Sequence, residues 1–68
     1  MANGTVKWFN STKGFGFIKP DAGGDDVFVH ISALEQAGLS GLDDDQAISY
    51  ELVEDRRGRN SAGELKLR

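Results

Sequence analysis

The sequence predicts an all-β fold, on three observations. Short apolar runs alternate with polar residues at period two. Clusters of Gly, Asn, Asp, Ser and Pro separate them at short intervals. No stretch is long enough to supply a pair of amphipathic helices.

The elements follow in order. Thr5–Asn10 reads as a first strand, and Asn10-Ser11-Thr12-Lys13-Gly14 as the tight connection after it. Gly14–Lys19 is the second strand, ended by Pro20, which has no N–H to give a ladder. Pro20-Asp21-Ala22-Gly23-Gly24-Asp25 turns the chain into a third strand, Val27–His30. The longest connection runs from Ser32 to Gln46; within it Ser32–Ala37 suits a short helical turn capped by Ser32 and ended by Gly38. Ala47–Val53 is the fourth strand, Arg56-Arg57-Gly58-Arg59-Asn60 a basic turn, and Glu64–Leu67 the fifth strand. Five short strands with one longer connection suit a five-stranded antiparallel barrel of the OB-fold type, a single domain over residues 1–68.

A chain of 68 residues buries only ~60% of its unfolded surface, so stability should be marginal. With no cysteine it has neither disulfides nor thiolate metal sites. No apolar run approaches a membrane span or the h-region of a signal peptide, and the expected setting is cytoplasmic. Asn3-Gly4-Thr5 and Asn10-Ser11-Thr12 match the glycosylation sequon and are read as chance. The net charge of −3 argues against a generic polybasic binder, but the charge is segregated. Residues 1–19 carry three lysines and no acid, residues 20–55 carry ten acids and neither Lys nor Arg, and residues 56–68 carry five bases against Glu64. Such a chain can present one basic face on an acidic body if its ends meet.

Side chains on a strand alternate between faces, so parity places the aromatics. Phe15, Phe17 and Lys19 share one face of the second strand; Gly14, Gly16 and Ile18 share the other. Phe28 shares a face with His30, opposite Val27, Val29 and Ile31. Each aromatic set travels with an ionisable partner, which resists burial, whereas the β-branched set has no polar member. The aromatics are therefore expected to face outward and the glycines to relieve crowding inside a tight barrel. Trp8 shares parity with Val6, a core candidate. It faces outward if a bulge lies near Lys7–Trp8, and is half-buried core otherwise. Tyr50 is read as structural.

An outward patch of Phe15, Phe17 and Phe28 exposes apolar surface at some risk of aggregation, so it implies a ligand. Lys7, Lys13, Lys19 and His30 ring that patch. Flat rings stack on nucleobases while rim lysines neutralise phosphate, which points to single-stranded nucleic acid. Duplex bases are already stacked on one another and hidden from such a platform.

Lys13-Gly14-Phe15-Gly16-Phe17-Ile18 and Val27-Phe28-Val29-His30-Ile31 resemble the two ribonucleoprotein motifs of the cold-shock domain, and Lys7-Trp8-Phe9-Asn10 resembles that family's first strand. Motif order and chain length match as well, so the resemblance covers essentially the whole chain. It implies an OB-type barrel binding single-stranded RNA or DNA, often as an RNA chaperone that melts hairpins and modulates transcription or translation. The family's stacking platform falls on Trp8, Phe15, Phe17, Phe28 and His30, and its backbone contacts on Lys7 and Lys13. Ile31 stands where many members have Phe, Leu39 where another aromatic is frequent, and Glu64 where Asn is usual. Lys19, Ile31, Leu39 and the loop arginines Arg57 and Arg59 complete the candidate nucleic-acid-binding residues. A monomer with no cofactor and no metal is expected.

Other readings fit less well. An RRM shares Lys-Gly-Phe-Gly-Phe, but its second motif precedes that run and it needs two helices. A peptide-binding barrel of the SH3 type would not need lysines around the rings. His30 is the sole histidine and no catalytic spacing accompanies it, so no enzyme is expected. Gly14-Phe15-Gly16 lacks the third glycine of a dinucleotide loop, since Lys19 stands there. Asp43-Asp44-Asp45 lacks the alternate spacing of a calcium loop.

Overall fold

The computed structural model describes residues 2–54 and 58–68. Five strands and a short helix follow one another as β1 (Ala2–Asn10), β2 (Phe15–Pro20), β3 (Val27–His30), α1 (Ile31–Gln36), β4 (Ala47–Glu54) and β5 (Asn60–Leu67). They close into a barrel in the order β1-β2-β3-β5-β4, with β4 returning to β1 through pairs such as Ala2↔Tyr50 and Thr5↔Ala47. This is the five-stranded OB-type barrel expected from the sequence. Four seams are antiparallel. The exception is the seam between β3 and β5, which run parallel and meet at Phe28↔Ser61.

The β-branched residues form the core. Val6, Ile18, Val27, Val29 and Ile48 are buried together with Tyr50 and Leu34, and Ala33, Ala62 and Leu65 complete the cluster. Alternation in β2 and β3 holds residue by residue: Ile18, Val27 and Val29 point in, while Phe15, Phe17 and Phe28 are half-buried on the outer face. Helix α1 packs against β3 and β5, and Leu34 drives its side chain into the barrel.

Two glycines permit this geometry. Gly14 adopts φ +80°, a left-handed turn that lets its N–H reach the Asn10 carbonyl at 2.8 Å while the Asn10 side chain accepts from the Lys13 N–H. At Gly16 a Cβ would collide with the Trp8 carbonyl oxygen and the Phe9 Cα, so β1 and β2 approach closely only because no side chain stands there.

Four expectations need correction. First, β1 begins at Ala2 because Ala2–Thr5 pair with β4. Second, β5 begins at Asn60, not Glu64, since Asn60 and Ser61 pair with Glu54 and Val53. Third, the helix is capped by His30 rather than Ser32: the Ser32 N–H donates to His30 Nδ1 at 3.1 Å. Fourth, Ile31 does not continue the inward face of β3. The helix starts there, which ends the period of two, and Ile31 lies half-buried with its N–H donating to the Gly14 carbonyl at 2.8 Å.

Tyr50 is core, and burial pushes the pKa of its hydroxyl up, with the negative charge of Asp21 adding to the effect. A pKa raised in the fold means that the unfolded chain ionises first, near about pH 10. The contribution is therefore complete below that pH and is lost as pH rises through the folded value. Tyr50→Phe is expected to abolish this component: urea unfolding of the two proteins across the alkaline range should show the wild type losing stability faster than the variant.

Candidate functional site

The outer face of the barrel is built by the β1–β2–β3 meander. Register places Trp8 opposite Phe17, Phe17 opposite Phe28, and Phe15 opposite His30. These cross-strand neighbours form a connected set of rings. Trp8 meets Phe15 and Phe17 edge-on, with ring centroids 5.6 and 5.4 Å apart. Phe15 stacks on Phe28 at 5.7 Å, Phe17 meets Phe28 edge-on at 5.8 Å, and His30 follows Phe28 at 6.4 Å. The rings thus cover part of one another, some edge-on and some stacked, which lowers the cost of exposing so much apolar surface, and the phenylalanines stay only half-buried.

Trp8 reaches this set through a bulge. The β1–β2 register shifts between Val6 and Trp8, so Val6 is fully buried, Trp8 is 37% exposed, and Phe9 turns back against the core. The bulge settles between the two sequence readings in favour of an outward Trp8. A bulge re-aims one side chain at the cost of a ladder pair, and here the redirected side chain is the largest ring of the set.

The charged residues divide. Lys19 lies exposed at the end of the β2 outer face, and Lys13 lies exposed in the β1–β2 turn; neither makes an ion pair among the described residues. Lys7 is held by Asp26, 2.9 Å from its Nζ. Both partners are substantially exposed, so the pair contributes at most about 1 kcal/mol. Arg59 lies with its guanidinium carbon 5.7 Å from the centre of the Phe28 ring, a cation–π arrangement that brings the basic C-terminal segment to the aromatic face. Arg57 lies outside the described residues. Ile31 sits beside Gly14 at the margin of the turn. Leu39 packs against the core cluster, its N–H donating to the Leu34 carbonyl at 2.8 Å.

Sequence reasoning did not identify two residues that shape this surface. Asp26 tempers Lys7, and no spacing rule links residues 19 apart. Ser32 orients the His30 ring, with its Oγ 3.0 Å and its backbone N–H 3.1 Å from Nδ1. Because an N–H must donate, Nδ1 accepts, and the proton of the neutral imidazole resides on Nε2. The His-x-Ser spacing was a usable signal for this contact. Among the described residues no group of three His, Cys, Asp or Glu side chains is placed to hold a metal, and no helix is long and apolar enough to cross a membrane.

Comparison with known proteins points in one direction. The family model described as the 'Cold-shock' DNA-binding domain matches residues 2–67. The chain is 69% identical over 67 residues to the "Probable cold shock protein y4cH" of Sinorhizobium fredii, covering 97% of each. It is 57% identical to "Cold shock protein CspA" of Rhizobium meliloti, again over 97% of each chain. With "Cold shock protein CspD" of Bacillus subtilis it shares 52% identity over 98% of this chain and all of the other.

The ring set depends on the close approach at Gly16. Gly16→Ala is expected to force β1 from β2 at the Trp8–Phe17 step, at about 1–3 kcal/mol. Urea unfolding should show the loss of stability, and Trp8 fluorescence should shift to the red as its ring contacts loosen.

Proposed function

This chain belongs to the cold-shock domain family, and on that footing we propose that it binds single-stranded RNA and DNA by stacking bases on Trp8, Phe15, Phe17, Phe28 and His30. The observation that carries the proposal is the continuous set of outward rings, 5.4–6.4 Å between neighbouring centres. Bases in a duplex follow one another at roughly 3.4 Å per strand. A strand whose successive bases meet successive rings must therefore be extended and unpaired. Lys13, Lys19 and Arg59 neutralise phosphate at the rim, and Lys7 does so once drawn from Asp26. Ile31, half-buried beside Gly14, offers aliphatic contact in place of a ring, Leu39 does so only with the part of its side chain that the core leaves uncovered, and Arg57 adds charge from the basic segment.

No chemistry or nucleotide hydrolysis is required. A protein that binds only the unpaired state pulls hairpins open by mass action, which is the physical basis of RNA-chaperone activity and of influence on transcription or translation. The acidic body keeps affinity moderate, since ten of the eleven acids lie between residues 21 and 55. A soluble, cytoplasmic monomer suits this role.

Titration with oligo-dT or oligo-U should quench Trp8 fluorescence, with affinity falling as salt rises. Phe17→Ala and Phe28→Ala should each weaken binding by ~1–3 kcal/mol while the far-UV spectrum stays that of the barrel. Loss of the fold in either variant, or absence of quenching at low salt, would sink the proposal. Asp26→Asn, which releases Lys7, should tighten binding at low salt and have little effect at high salt.

A further inference from the structure

The ring set does not stop at His30. Beyond it a cleft of about 240 Å³ opens between α1 and β5, with Phe28 and His30 at its mouth and Ser32, Gln36, Ser61 and Gly63 along its walls. A second, larger hollow between the same two elements shares Ala33, Gln36 and Gly63 with it and is lined further along by Glu64 and Lys66. Ala33 and Ala62 are buried beneath the cleft, and Gly63 adds no side chain to the wall. The space is a product of the fold: two small residues and a glycine face each other where a helix crosses a strand.

The polar groups around it have a definite sense. His30 Nδ1 accepts from the Ser32 N–H, so the contact between Nδ1 and Ser32 Oγ has the hydroxyl donating. Ser61 Oγ donates to the Val53 carbonyl at 3.3 Å. Both hydroxyl protons are thereby committed within the protein, and what each serine offers the cleft is oxygen lone pairs. Gln36, exposed at the end of α1, offers one acceptor and one donor group side by side.

We propose that this cleft is an additional nucleotide subsite, continuous with the ring set, that takes a base bearing an exocyclic amino group, adenine above all. The inference rests on the single-strand-binding reading of the ring set. An adenine amino group donates where thymine and uracil present a carbonyl oxygen, so it meets the serine lone pairs that would repel that carbonyl. The Gln36 amide has the geometry to pair with the adjacent ring nitrogen and amino group of adenine. The ring set tolerates any base because every base has a flat face, so the cleft is the place where this surface discriminates.

The test compares oligo-dT with oligo-dT ending in one deoxyadenosine, placed at the 5′ end in one series and the 3′ end in another. One of the two ends should tighten binding by about fivefold or more. Purine deoxyriboside in that position, which stacks like adenine without the amino group, should lose the gain. Gln36→Leu and Gln36→Ala should also lose it while binding plain oligo-dT as the wild type does. The subsite is overturned if neither end tightens binding, if the purine analogue keeps the gain, or if both Gln36 variants keep it. Failure of the ring set itself shows separately, as absence of binding to plain oligo-dT, and overturns the subsite with it.

Discussion

Ile18, Val27 and Val29 can be buried together only if β2 and β3 pair as Ile18↔Val27 and Gly16↔Val29. That register is the constraint on which the rest depends. A slip of one residue would send Phe15, Phe17 and Lys19 inward, and a barrel this narrow has no room for two phenylalanines and no partner for a buried ammonium. Once the aliphatic side is committed to the core, the aromatic side is aligned across three strands at van der Waals distance. The ring surface is thus the obligatory reverse of the core.

Two local devices complete what the register begins. The bulge after Val6 adds Trp8 to a surface that strict alternation would have denied it, and it leaves Phe9 to support the core. The His30–Ser32 contact ends β3 and starts α1 with the same side chain that extends the rings. His30 therefore couples the aromatic face to the position of the helix, and the helix in turn forms one wall of the neighbouring cleft.

Much of this was legible in residue order. Parity alone separated Ile18 from Phe17 and Val29 from Phe28, because a polar companion marked each outward set. What resisted reading was whatever depends on a distant partner. Asn60–Gly63 carry no apolar alternation, and they become a strand because β4 and β3 supply the ladder. The bulge at Lys7 leaves no compositional mark, so Trp8 stayed ambiguous between two faces. Asp26 reaches Lys7 only when β1 and the entrance of β3 are brought together by β2. Leu39 falls in a connection whose path follows the core, and its side chain goes there.

The parallel seam between β3 and β5 carries one further consequence. Strands β1, β2 and β3 are joined by short turns, so their pairing closes small loops at little entropic cost. Strand β5 joins β3 across some thirty intervening residues, from His30 to Asn60, and pairs with it at Phe28↔Ser61. Loop closure makes the meander the inexpensive part of the barrel and the two seams that join distant stretches, β3–β5 and β1–β4, the costly ones; of these the β3–β5 seam, with its single parallel pair, is the one expected to open first. The rings belong to the half that holds together, while the cleft beside His30 exists only when the seam is shut.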